Sequence, residues 1–379
     1  MKNRFLIRLL IFVCCFVSLV CASCAKKIFT VGAFFPMSGP LGYFGNESKD
    51  GVMMAIDKIN AEGGLLGSNL VLVCEDDEGN PDKAVKVFTK LMEKDKVSIV
   101  IGSSISGTTI PVSPLAQQNK VILISPTATN IAVTQPGDYI FRACFIDPFQ
   151  GVVGAEFAYN TLGNRRAAIL YDGDAAYNTG LAEAFSEHFK VLGGEVLANE
   201  VYKSGETDFD TQVGLIKSVN PDVVYLPNYF NDAAIQARQL RAEGINCTLI
   251  GGDGWDGLTD IATDDLLNSF WSSGFAADTS DPWGMAFVRE FEARYHRPAT
   301  QYSALSYDAM MIVANGIREA GTFTTSAVKN AMARTNGDYV TGSIRFDSDR
   351  NAIKGAAINE IVKRNGQFTN AYKITINPK

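Results

Sequence analysis

The sequence predicts an α/β protein of two domains, each built on a parallel sheet with helices on both faces. Three observations carry this reading. From Ile28 onward, short uninterrupted runs of β-branched and apolar residues alternate with stretches of helical period. Each run stops at Gly, Pro, Asp or Ser, residues that punctuate strand ends. Once an N-terminal export segment is set aside, about 355 residues remain, which suits two domains. Strands that are apolar throughout are covered on both faces, as parallel strands are.

Residues 1–24, MKNRFLIRLLIFVCCFVSLVCASC, stand outside this pattern. A basic start (Lys2, Arg4, Arg8), an apolar stretch from about Leu9 to Val20 and small residues thereafter make an export signal. Two cleavage readings stay open. Ala22-Ser23-Cys24 reads as a lipobox that would acylate Cys24, with Cys21 where leucine is usual, and Ser23-x-Ala25 suits ordinary signal peptidase. Nothing else approaches the 18 apolar residues of a membrane span. The folded chain opens with IFTVGAFF (28–35) as a strand. Then ESKDGVMMAIDKINAEGG places Val52, Ile56 and Ile59 on one helical face before a Gly-Gly stop. LVLVCEDD (70–77) is the next strand, and Pro81 opens a helix with Val85, Phe88, Leu91 and Met92 inward. VSIVIG, VILISP, RAAILYD, DVVYLP and CTLIGGD repeat the strand theme.

Composition removes several functions. The export segment carries three positive charges and no acid, so its loss takes the net charge from −7 to −10. An acidic chain without a basic block is a poor partner for nucleic acid. Beyond the signal only Cys74, Cys144 and Cys247 remain, with no CxxC and no disulfide framework, and they read as fillers. Two histidines, His188 and His296, sit at surface or capping positions, and neither a GxSxG elbow nor HExxH is present. No enzyme and no cofactor is expected. Asp347, Asp349 and Asn351 nearly spell a calcium loop, but Ala352 and Ile358 stand where Gly and Glu are needed, leaving a solvated turn. Gly252, Gly254 and Gly257 fit GxGxxG, yet they lie two-thirds along the chain with Asp253 facing the would-be phosphate.

The strand-ending segments FPMSGPLGYFGNE, IGSSISGTTIP, ISPTATN, YDGDAAYNTG, LPNYFND and GGDGWDG share a character. They are rich in hydroxyls, tyrosines and glycines, carry a few carboxylates, and lack Lys, Arg, His and Cys. In parallel sheets, ligands bind beyond such strand ends. Hydroxyls and free N–H groups after Gly102 offer an anion niche, and a second hydroxyl cluster follows at 125–130. Across the chain, Asp253 offers a fixed negative charge. A carboxylate niche opposite a carboxylate complements an α-amino acid.

These blocks, in this order, resemble the substrate-binding proteins of branched-chain amino-acid ABC transporters. VGAFFPMSGPLGYFG, DGVMMAIDKINAEGGLLG, VIGSSISGTTIPVSPLAQQNKVILISPTATN, VVYLPNYFNDAAIQARQLRAEGI, LIGGDGWDG and ALSYDAMMIVANGI carry the likeness over essentially the whole mature chain. The resemblance implies a type I periplasmic-binding fold: two Rossmann-like lobes with parallel sheets, three crossovers, and a ligand cleft between them. It implies a first lobe of residues 27–147 plus 279–346 and a second of 148–278 plus 347–379. Carried over by position, Ser106 takes the ligand carboxylate, Thr127 and Thr129 add a backbone and a hydroxyl contact, and Asp253 pairs with the ammonium. Tyr177 covers the ligand, as does Asn228 or Tyr229, with Tyr229 preferred; Phe44 and Tyr43 stand at the first loop. Asp253 is shorter than the family's Glu, Phe44 lacks a hydroxyl, and Cys74 faces Ile105 where the family has a small disulfide. The implied partners are an amino acid and the permease and ATPase subunits of an importer, for a periplasmic monomer held to the membrane at most by Cys24. A ligand sensor of the same fold, feeding a signalling partner, fits the sequence too.

Overall fold

The computed structural model describes residues 27–378, so the expected export segment and Cys24 lie outside the described residues. Sheet one holds β1 (Lys27–Phe35), β2 (Ser68–Asp76), β3 (Ile99–Gly102), β4 (Ile122–Ser125) and β5 (Ile140–Arg142) in the order β2-β1-β3-β4-β5, all parallel. Sheet two contains β6 (Arg166–Asp172), β7 (Glu195–Tyr202), β8 (Val223–Leu226), β9 (Thr248–Gly251) and β10 (Ser269–Ser273). A small third sheet, β11 (Asn336–Tyr339), β12 (Gly342–Phe346) and β13 (Ala352–Ile353), packs with the core of sheet one. The chain then returns to sheet two with β14 (Ala356–Arg364) and β15 (Gln367–Ile376), giving the order β15-β14-β10-β9-β8-β6-β7. The predicted two-lobed α/β class stands, and the chain passes between lobes three times. Strand order reverses beside β1 and β3 in one sheet and beside β6 and β8 in the other, which fixes where ligands meet each lobe.

Three local differences from the sequence reading have physical causes. β14 and β15 are antiparallel, joined by Asn365-Gly366 with φ of 51° and 82°, the positive pair that a two-residue hairpin turn demands. The helix after Pro81 buries Ala84, Val87, Phe88 and Leu91, while Val85 and Met92 are only half-buried. Its buried set follows the i, i+3, i+4, i+7 period more closely than the expected one. Finally, the first long helix starts at Gly42 rather than near Glu47, so Tyr43 and Phe44 belong to its first turn and not to a loop.

Helices Pro282–Tyr295, Gln301–Ala320 and Thr325–Met332 fold back onto sheet one, where Phe287, Leu305, Ile312 and Val328 join Val31, Ile99 and Ile122 in one core. Since β13 still pairs with β12, the last crossover falls near Lys354, a few residues beyond the expected 347. The DSDRN turn at 347–351 is docked rather than freely solvated. Arg350 donates to Ile140 O (2.9 Å) and Thr134 O (3.1 Å), and Thr134 Oγ1 donates to Asn351 Oδ1 (2.9 Å).

Candidate functional site

The wall from the first lobe is built by two loops that hold each other. After β3, Ser103 Oγ donates to Asp77 (2.6 Å), Ser104 Oγ meets Ser48 Oγ (2.7 Å), and Thr109 Oγ1 donates to Ile105 O (2.8 Å). These hydroxyls are spent on shaping the loop. After β4, Ser125 Oγ donates to Ser103 O (2.8 Å), Thr127 Oγ1 to Ser104 O (2.7 Å), and Asn130 N to Ser106 Oγ (3.2 Å). The buried Arg142 guanidinium secures the second loop by donating to the carbonyls of Ala128 and Asn130, both at 2.8 Å. Ser106 begins a single helical turn, Ser106–Thr109, whose first N–H groups no intrahelical carbonyl can reach. Thr129 Oγ1 is buried with no hydrogen-bond partner among the described residues.

The opposite wall comes from the strand ends of sheet two. β9 runs into Gly252 and a tight turn, Asp253–Trp255, fastened by the Trp255 indole donating to Leu226 O (3.1 Å). Asp253 is 3% exposed and accepts Gln150 Nε2 at 3.0 Å; the same amide donates to Ser272 Oγ at 2.9 Å. Tyr177 OH accepts the Gly254 N–H (3.0 Å), and the Tyr177 ring stacks on Tyr229 with centroids 5.1 Å apart. The glycine pattern is therefore steric. A Cβ on Gly252 would lie 2.6 Å from Tyr177 OH, so only glycine lets that tyrosine reach the turn. No phosphate cradle is needed to explain it.

The two walls meet around a small, partly open pocket of about 10 Å³. Ser104, Ile105, Ser106, Thr127 and Thr129 border it on one side, and Tyr177, Tyr229 and Asp253 on the other. Tyr302, from the first turn of helix Gln301–Ala320, completes the lining. Burial pushes the Asp253 carboxyl up to about 6, with hydrogen bonds from Gln150 and Tyr177 pulling it back. Behind Thr129 lies a second acid, Asp147, 1% exposed, at the start of helix Asp147–Glu156. Its backbone N–H donates to Thr129 O (3.0 Å), yet neither carboxylate oxygen reaches hydrogen-bonding geometry with a described residue. Burial pushes it up to about 8, the Asp253 charge raises it further, and nearby Thr129, Arg142 and Asn130 lower it.

Of the expected residues, Ser106, Thr127, Thr129, Tyr177, Tyr229 and Asp253 meet around this space. Asn228 does not: it is fully buried and structural, donating to Leu170 O and accepting from Asn178 Nδ2, each at 2.8 Å. Phe44 stands behind Tyr302, stacked at 4.2 Å, and Tyr43 hydrogen-bonds Asp256 at 3.3 Å; neither borders the space. Tyr302, Ser104, Gln150 and Asp147 escaped the sequence reading. Tyr302 is the second residue of a helix and Asp147-Pro148 opens another, positions that carry no ligand signal in the sequence. Elsewhere, His188 meets Glu156 (3.3 Å) and His296 ends a helix. Cys74, Cys144 and Cys247 are free, and burial pushes their thiols up to about 12, 12 and 11, which keeps them protonated.

Comparison with known proteins places this geometry. The family described as periplasmic binding protein matches residues 29–367. A Leu/Ile/Val-binding protein, BraC3, of Rhizobium johnstonii is 33% identical over 308 residues, covering 80% of this chain and 83% of that protein. The crystal structure of a leucine binding protein, LivK, from Thermotoga maritima superposes with a TM-score of 0.87 at 30% identity, covering 92% of this chain and 99% of that one. The branched-chain amino acid transporter substrate binding protein LivJ of Streptococcus pneumoniae, solved in complex with isoleucine, gives a TM-score of 0.85 at 31% identity, covering 93% and 100%.

Proposed function

The chain belongs to the periplasmic binding protein family, with its type I two-lobed fold, and from that premise we propose that it captures an amino acid for an ABC importer. The ligand is a branched-chain or related aliphatic amino acid, taken up outside the cytoplasm by closure of the lobes and handed to a membrane permease with its ATPase. One observation carries this reading. A hydroxyl and helix-terminal wall on the first lobe faces the Asp253 carboxylate of the second across one small pocket.

In this reading Ser106 and the free N–H groups of its helical turn receive the α-carboxylate, and the Thr127 hydroxyl, donating to Ser104 O, holds that wall in place. Thr129 Oγ1, without a hydrogen-bond partner among the described residues, is available to the ligand. Asp253 takes the ammonium. Tyr177, Tyr229 and Tyr302 exclude water. Charge-assisted hydrogen bonds are roughly twice as strong as neutral ones, and pairing both poles avoids an orphan buried charge. Closure follows because the ligand touches both walls only when they meet. Discrimination among apolar side chains is modest, about 1–3 kcal/mol per methylene, so several related amino acids bind. The LivJ complex with isoleucine and the Leu/Ile/Val-binding relative support the ligand class. A thermal-shift screen of the mature protein against the twenty amino acids, small amides and aromatic acids tests it. Stabilisation by leucine, isoleucine or valine is expected, and stabilisation only by non-amino-acid ligands would refute it.

A further inference from the structure

The glycine turn at 252–257 carries a second acid, Asp256, that ligand contact does not explain. It is 5% exposed and does not border the pocket. Its carboxylate instead crosses the lobe boundary. Oδ2 accepts the backbone N–H of Gln301 at 2.9 Å, and Oδ1 accepts the hydroxyl of Tyr43 at 3.3 Å. Gln301 opens helix Gln301–Ala320, and Tyr43 lies in the first turn of helix Gly42–Ala61; the two helices pack together on the first lobe. The Gln301 amide is a donor that its own helix cannot satisfy, and a carboxyl oxygen can accept from it in either protonation state. Other contacts close the same seam. Gln301 Nε2 donates to Asp253 O (2.6 Å), Asn231 Nδ2 donates to Pro40 O (2.9 Å), and the Tyr43 and Phe230 rings meet at 5.8 Å.

We propose that Asp256 is the latch of lobe closure, a positioning residue that fastens the Asp253 turn to the first lobe without touching the ligand. This rests on reading the protein as an amino-acid binder, in which shutting the lobes supplies affinity. The groups facing the latch are Tyr43 and Glu47 from helix Gly42–Ala61, Asp260 from its own segment, and Arg297, which pairs with Glu47 at 2.5 Å. Burial pushes Asp256 up to about 7, and the Glu47 charge adds to the rise. Glu47 is likewise pushed up to about 7 by burial, with Arg297 pulling it back. Opening the lobes returns the Asp256 carboxyl to water and to the ordinary carboxylate range, so shutting takes up a proton. The latch therefore holds fully at low pH and loosens as pH rises through about 7.

Two measurements on the mature protein test this. The first needs no ligand: hydrogen exchange at the Gln301 amide and the small-angle scattering radius of gyration, wild type against Asp256→Ala. Faster exchange and a larger radius in the variant are expected; identical values would overturn the latch. The second is calorimetry with leucine at pH 6 and pH 8. Asp256→Ala should bind about tenfold more weakly at pH 6, the effect of losing one or two hydrogen bonds to a neutral carboxyl, with a smaller gap at pH 8. A purely structural role would lower the melting point while leaving the two pH profiles parallel, and that result also overturns the proposal. If Asp256→Ala fails to fold, Asp256→Asn, which keeps one acceptor and cannot titrate, carries the same comparisons and should flatten the alkaline fall in affinity. Should leucine and every other amino acid fail to bind the wild type, the functional reading falls while the exchange and scattering results still decide the latch.

Discussion

Replacing Asp253 by Asn separates a charge kept for a ligand from one kept for the fold. Asp253 is 3% exposed, its Oδ1 already accepts Gln150, and burial holds its carboxyl near 6. At pH 7.5 it is mostly ionised in the free protein. An Asn offers one oxygen to two donors, Gln150 Nε2 and a ligand ammonium, and turns its amide N–H toward the other. Truncating one member of a buried charged pair costs about 2–5 kcal/mol. The lower end, about 2 kcal/mol, corresponds to roughly thirtyfold in Kd. The effect on the free protein has the opposite sign. A carboxyl raised from 3.8 to about 6 destabilises the folded state at neutral pH by an amount bounded near 3 kcal/mol. Stability from this group is full below pH 4 and lost as pH rises through about 6. Asp253→Asn should therefore raise the melting temperature of the ligand-free protein at pH 7.5, with little change at pH 4, while weakening leucine binding in calorimetry. Undiminished affinity, or a destabilised free protein, would refute the reasoning.

Other outcomes follow from the same geometry. Thr129→Val removes a hydroxyl with no hydrogen-bond partner among the described residues, so the melting point should hold or rise while ligand affinity falls by roughly 0.5–2 kcal/mol, read by calorimetry. Ser106→Ala should weaken binding by a similar amount and also loosen Asn130, whose N–H it accepts, visible as faster amide exchange there. Gly252→Ala places a methyl 2.6 Å from Tyr177 OH and should displace that ring, with at least tenfold weaker binding by titration, a loss of about 1.4 kcal/mol. In Asp256→Asn, where the latch cannot titrate, affinity should weaken as pH falls through about 6, because protonating Asp253 removes the charge that meets the ammonium. A flat profile between pH 7 and pH 5 would count against that role.

The first lobe's hydroxyl wall was legible because strand ends in a parallel sheet share one edge, so Ser106, Thr127 and Thr129 converge whatever the loops do in detail. Asp253 was legible for the same reason. Tyr302 and Gln150 were not, since each sits within the first turn of a helix whose pattern reads as ordinary core packing. Asn228 and Tyr229 are neighbours in sequence, and only the turn of β8 into the next helix sends one inward to Leu170 and the other toward the ligand space. The hairpin of β14 and β15 had a signal in Asn365-Gly366 that the alternation of strands and helices overshadowed.

Local chemistry by itself determined the alternating α/β pattern and the hydroxyl-rich character of the strand ends, because periodicity and turn residues act over a few positions. Tertiary structure decided what no short stretch contains. It chose which lobe Tyr43 and Phe44 brace, brought Asp147 up behind Thr129, and set Asp256 against a helix start some 45 residues away. Burial and the meeting of charges depend on how the lobes close, and that is settled by packing across the seam.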